Sequence, residues 1–115
     1  MAESHTRPFR AEPYRELVGL DEAAAAAYQV VAEPRAPVRD PGTLEEVRRA
    51  VALALSRVAP VVETVDGRTV PLSEAELLGR LQAQRTPAEA LRGLYIRRID
   101  LLRAVEVLKR TPLAL

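Results

Sequence analysis

The feature that most constrains this chain is a helix-start signal that occurs three times. In each case a Ser or Thr precedes a Glu by three residues where an apolar run begins, at Thr43–Glu46, Ser73–Glu76 and Thr86–Glu89. This is the capping box, in which the hydroxyl accepts a backbone N–H and the Glu side chain accepts the N–H of the cap residue. The three signals predict a chain built mainly from helices.

Hydrophobic periodicity predicts an α+β fold that is mostly α. The predicted helices span residues 21–33, 43–58, 73–84 and 87–110. A short β-hairpin is predicted over 61–70, because Asp66-Gly67 separates two runs rich in Val and Thr. Residues 14–18 form a possible N-terminal strand.

The chain length of 115 residues predicts one small domain, over 14–115. Residues 1–13 lack periodicity and are predicted to form an extended N-terminal arm. Segment 34–42 contains three prolines and a glycine, so we expect a stiff, exposed linker there.

The composition offers few groups for catalysis or metal binding. Cysteine is absent, and the one histidine, His5, lies in the predicted arm, where no carboxylate or nucleophile is held beside it. Paired acids fall in the first turns of predicted helices, where negative charge stabilises the helix dipole. We therefore predict a protein that is not an enzyme and that binds no cofactor or metal.

The net charge and the hydropathy pattern limit the classes of partner that we expect. The net charge of +1 favours neither bulk nucleic-acid binding nor an acidic partner. No apolar run approaches the roughly 20 residues of a membrane span. We expect a soluble, cytoplasmic protein without a membrane partner.

The last predicted helix holds the candidate partner-binding residues. These are Leu94, Tyr95, Arg98, Leu102 and Val105. On one continuous helix over 87–110, they share a broad apolar face with Arg98 in its middle. Two interpretations stay open: Arg98 snorkels from the core or pairs with a buried carboxylate there, or it anchors a protein interface.

A basic edge of the same predicted helix gives the alternative function. Arg92, Arg103 and Arg110 would line this edge and could contact phosphate or an acidic protein. A solvated basic face near a helix C-terminus, where the helix dipole favours positive charge, is the more common explanation. Because no aromatic residues interleave these charges, a nucleic-acid-associated regulator ranks second.

A short N-terminal motif carries a family resemblance. The residues concerned are Arg15, Glu16, Leu17, Gly19, Asp21 and Glu22. In this motif the chain resembles the opening of small baseplate or tail assembly proteins of contractile-tailed phages and related contractile injection systems. The resemblance implies a compact, mostly helical adaptor or assembly chaperone that binds other tail proteins.

The residues and the resemblance predict the same class of function. We expect a protein–protein interaction module that serves as an adaptor, assembly factor or structural subunit of a larger assembly. Its partner would be another protein or a second copy of the chain.

Overall fold

Four antiparallel strands and five helices make up the fold in the computed structural model, which describes residues 16–83 and 86–111. In chain order the elements are β1 (Leu17–Gly19), α1 (Leu20–Ala27) continued by a π-helical segment (Tyr28–Ala32), α2 (Pro41–Val58), β2 (Val61–Val65), β3 (Arg68–Leu72), α3 (Glu74–Ala83), α4 (Pro87–Ala90), β4 (Leu94–Arg97) and α5 (Arg98–Arg110). The protein is α+β and mostly helical, as predicted.

The sheet has the strand order β1-β4-β2-β3, so β4 and β2 are central and β1 and β3 lie at the edges. One row of paired residues crosses all four strands: Val18, Ile96, Val61 and Leu72. Because directly paired residues point to the same side of a sheet, this row forms one apolar face. The helices pack on that face and enclose the core.

Alanine allows the helices to approach closely. Ala23, Ala24 and Ala27 of α1 are fully buried, and α1 packs against α2 of the same chain. Small side chains on one face let two helix backbones lie near each other without a cavity. The alanine run is therefore used inside this fold.

The predicted hairpin is present over β2 and β3. Asp66 and Gly67 both have positive φ, as a two-residue type I′ turn requires. The predicted N-terminal strand is confirmed in part, because Leu17 and Val18 belong to β1, which pairs with β4. Residues 14 and 15 and the predicted arm over 1–13 lie outside the described residues.

Two of the three capping boxes are confirmed. The Ser73 N–H donates to Glu76 Oε1 at 2.8 Å, and the Glu76 N–H donates to Ser73 Oγ at 3.1 Å. The box at Thr86 and Glu89 has the same reciprocal bonds at 3.3 Å. The box at Thr86 and Glu89 begins the helix α4, which has a single turn.

The prediction of a capping box at Thr43 is wrong. Asp40 caps α2 instead, because its Oδ2 accepts the Thr43 N–H at 3.0 Å and the Thr43 hydroxyl at 3.1 Å. Pro41 occupies the first helical turn, where its missing N–H has no cost. The linker therefore ends at Asp40, two residues before the predicted end at Gly42.

The predicted helix over 87–110 is also wrong. The chain leaves the helical conformation after Ala90, and Gly93 has a φ of 80°, which glycine adopts without strain. Strand β4 then pairs with β1 through residues 95–97 and with β2 through residues 94–96, so Tyr95 and Ile96 have paired neighbours on both sides. Long-range pairing outweighs the local helix propensity here.

The confirmed box at Ser73 gives a pH-dependent prediction. The pKa of Glu76 lies below its ordinary value, mainly because the backbone N–H of Ser73 donates a hydrogen bond to the carboxylate. The Ser73 side chain lowers this pKa further, and the charge of Arg80 makes a smaller contribution. Ser73→Ala should raise the Glu76 pKa only part of the way toward the ordinary value, because it removes the hydroxyl and keeps the backbone N–H of residue 73, whereas Ser73→Thr should keep the pKa low. Carbon-detected NMR titration of the Glu76 carboxyl measures both variants.

The sign of the stability effect follows from the lowered pKa. A carboxylate with a depressed folded-state pKa stabilises the fold above its unfolded pKa, and this stabilisation is lost as the pH falls through the folded value. The stability difference between wild type and Ser73→Ala should therefore shrink in acid. Identical Glu76 titration curves for wild type and Ser73→Ala would show that the Ser73 hydroxyl does not help to hold the carboxylate, which would then depend on the backbone N–H of residue 73.

Candidate functional site

The junction between β4 and α5 fixes the direction of the last helix. Arg97 ends the strand and Arg98 begins the helix, with no loop between them. The Arg98 N–H donates to the carbonyl oxygen of Glu16 at 2.9 Å, which extends the pairing with the chain before β1. The helix is therefore oriented directly by the sheet.

A buried ion pair holds the first turn of α5. Asp100 is 2 % exposed, and it is the one buried charged residue in the described ranges. The guanidinium of Arg97 donates from both Nε and Nη2, the latter to Asp100 Oδ1 at 2.9 Å. This fork geometry fixes the planes of both side chains, and the carboxylate also lies where the helix dipole favours negative charge.

A second contact holds the other end of α5. The Arg35 guanidinium donates to the carbonyl oxygens of Lys109 at 2.8 Å and Thr111 at 3.2 Å. These carbonyls have no partner within the helix, and a positive charge at this end is favourable. Segment 34–40 thus contacts α5 through Arg35, which caps the C-terminus of this helix.

The inward side of α5 belongs to the core. Leu101, Ala104 and Leu108 are buried, and α5 packs against α2 and the π-helical segment. The spacing of three and four residues is that of one helix face. The helix therefore already has an apolar side that accounts for its folding.

The outward side of α5 carries two exposed apolar side chains near its N-terminal end. Ile99 and Leu102 are 60 % and 63 % exposed, which makes them the most exposed large apolar side chains in the described residues. They lie three residues apart and so are neighbours on the helix surface. Their exposed surface is not needed for the packing of the core, so this pair is a candidate contact for a partner.

Basic side chains surround this pair. We call the surface the α5 outer face, and it consists of Arg98, Ile99, Leu102, Arg103, Glu106, Lys109 and Arg110. Lys109 pairs with Glu106 at 3.3 Å. Within the described part of the chain, the side chains of Arg98, Arg103 and Arg110 form no ion pair. The α5 outer face thus has four bases and one acid.

The predicted partner-binding residues are not brought together. Leu94 is 1 % exposed and lies in the core, so its prediction as a surface contact is wrong. Tyr95 is half-buried on the opposite sheet face beside Val62, its paired neighbour. Val105 is half-buried against the core.

Two of the predicted residues lie on the same face. Arg98 and Leu102 lie four residues apart on the α5 outer face, and both are exposed. Arg98 is not in the middle of a buried stripe, because it is the first residue of α5. The role of Ile99 was not predicted, although its three-residue spacing from Leu102 is visible in the sequence.

The predicted basic edge is divided. Arg103 and Arg110 lie one above the other on α5, seven residues apart. Arg92 lies in the turn between α4 and β4, not on the same helix, so the three arginines do not form one helical edge.

The described residues contain no group of three or more His, Cys, Asp or Glu side chains arranged to hold a metal ion. Within the same ranges, every helix is too short or too polar to cross a bilayer. No protein-family model, curated protein or solved structure matches this chain. The α5 outer face is therefore the feature on which a functional proposal rests.

Proposed function

We propose that this protein is a non-enzymatic protein–protein interaction module that binds its partner through the α5 outer face. The observation that carries the proposal is the exposed pair Ile99 and Leu102 on a helix whose opposite side is already buried. Both ends of the helix are held, by Arg97 at the start and Arg35 at the end. A face on a fixed helix can bind without a large ordering cost.

The magnitude of apolar burial limits what the pair can do alone. Complete burial of such a side chain from full exposure is worth about 2 kcal/mol, so Ile99 and Leu102, which are 60 % and 63 % exposed, can each gain only about 1.2 kcal/mol. Their sum of about 2.5 kcal/mol lies below the cost of association, which is at least about 4 kcal/mol in lost freedom of motion. Further contacts must supply the affinity, and the surrounding bases are the groups available.

The role of adaptor, assembly factor or structural subunit follows from this form of binding. We propose that the protein joins a larger assembly, and the motif from Arg15 to Glu22 supports a phage tail or contractile injection baseplate as that assembly. A protein that binds by a single fixed helix face can be incorporated without changing its own fold.

A nucleic-acid-associated regulator is the weaker candidate. It would use Arg103 and Arg110, which are exposed on α5. The two aliphatic side chains beside them would be desolvated against phosphate with no stacking gain, since neither is aromatic. This surface therefore suits a protein partner better.

A site-specific photocross-link tests the proposed function. A photoreactive phenylalanine analogue placed at position 99 should cross-link a defined protein in the cells that naturally produce this protein. The same analogue at Leu78, which is 40 % exposed on α3, is the matched control and should not give that product. Absence of a protein adduct specific to position 99 would overturn the proposal.

A further inference from the structure

We propose that the α5 outer face binds an acidic amphipathic helix of a different protein. This inference rests on the proposed function and adds the chemistry of the partner. It follows from how the apolar and basic groups are arranged around α5. The partner would present a row of aliphatic side chains with Asp or Glu on both sides.

The bases lie on both sides of the apolar pair. Arg98 and Lys109 are eleven residues apart, about three helical turns, and lie on the side of Leu102. Arg103 and Arg110 are seven residues apart, about two turns, and lie on the side of Ile99. The apolar pair thus has bases on both of its sides, and Glu106, four residues after Leu102 and seven after Ile99, continues its line. Charged side chains on both sides of an apolar contact are also found beside a helix–helix seam.

The length of α5 suits a partner of the same kind. Its 13 residues extend for about 20 Å, and ridges of one helix pack into the grooves of another over such a length. Ile99 and Leu102 lie on consecutive turns near one end, and the face continues to the other end with Glu106, which pairs with Lys109, and with Arg103 and Arg110. The partner helix therefore needs about three turns.

Charge disfavours self-association through this face. Two copies that met by the same surface would bring eight bases and two acids together, from four bases and one acid on each copy. Like charges that face each other across an interface weaken it. An acidic partner removes this repulsion and neutralises Arg98, Arg103 and Arg110, whose side chains have no ion pair within the described ranges.

Three labelled peptides of about 20 residues test the inference by fluorescence anisotropy. The first has a leucine seam flanked by Glu on both sides, the second has the same seam flanked by Lys, and the third scrambles the first so that no seam forms. We expect the first peptide to bind at least about tenfold more tightly than either of the others. Raising the salt from about 0.05 M to about 0.3 M should weaken its binding.

Variants assign the binding to the α5 outer face. Ile99→Ser/Leu102→Ser should weaken binding of the first peptide at least about tenfold, while Leu78→Ser, at another exposed leucine, should leave it unchanged. Arg103→Glu/Arg110→Glu should reverse the preference toward the Lys-flanked peptide. Circular dichroism melting of each variant verifies that these exposed changes preserve the fold.

Distinct results overturn the inference. Equal binding of the two acidic peptides would show attraction by charge alone, and equal binding of the Lys-flanked peptide would exclude charge selection. Tight binding of a single-stranded oligonucleotide that is insensitive to Ile99→Ser/Leu102→Ser would show a nucleic-acid surface instead. If no peptide binds but position 99 cross-links a protein, the acidic-helix inference fails while the proposed function stands.

Discussion

Leu94→Ala is expected to lower the free energy of unfolding by about 3 kcal/mol. Leu94 is 1 % exposed in the central strand β4, where it contributes to the main core. Its truncation removes apolar contacts and leaves a cavity, and the pairing of Leu94 with Glu63 of β2 restricts collapse of the backbone into that space. Urea denaturation followed by circular dichroism measures the loss.

Leu102→Ala is the matched control for Leu94→Ala. The chemical change is the same, but Leu102 is 63 % exposed, so we expect a change within about 0.5 kcal/mol. The comparison separates a core residue from a surface residue at two positions that a continuous helix would place on one face. Equal losses for the two variants would contradict the assignment of Leu94 to the core strand.

Arg97→Met is the second substitution with a large expected effect, a loss of about 3 kcal/mol. The side chain of Asp100 is 3 % exposed, whereas that of Arg97 is 26 % exposed. Removal of the guanidinium leaves a buried carboxylate without its bidentate partner. The cost therefore comes mainly from the group that stays behind.

Two further variants test this explanation. Arg97→Met/Asp100→Leu should recover part of the loss, because it removes the stranded carboxylate together with the guanidinium. Lys109→Met removes the partner of Glu106 in an exposed pair, and we expect a change within about 0.5 kcal/mol. Similar losses for Arg97→Met and Lys109→Met in thermal and urea unfolding would show that the Arg97 pair behaves as a surface pair.

Short sequence motifs predict the helix starts and turns that are formed by residues close together in the chain. The box at Ser73 and the turn at Asp66-Gly67 depend on residues within four positions of each other, so the sequence identifies them. At the start of α2, Asp40 and Thr43 are both good cap residues three positions apart. The presence of Pro41 at the first helical position favours Asp40, and this signal was available in the sequence.

Strand β4 could not be predicted from its own residues. Leu94 and Ile96 alternate with Tyr95 and Arg97 over only four positions, and such a short segment fits a helix or a strand. The choice depends on pairing with β1 and β2, which lie far away in the sequence. Gly93 was the local signal for a break in the helix.

The error over β4 also displaced the candidate site. A continuous helix would place Leu94 and Tyr95 on the same face as Leu102 and Val105, with Arg98 at the centre of that face. Once α5 begins at Arg98, its buried side centres on Ala104, and Leu102 lies outside it with Ile99. Arg98 and Leu102 remain candidates, but on the solvent side.

The photocross-link from position 99 tests the central claim most directly, since it reports what covers the α5 outer face in the native cell. The account predicts a defined protein adduct from position 99 that is absent when the same analogue replaces Leu78. Adducts that are the same from both positions, or no protein adduct from position 99, would contradict it.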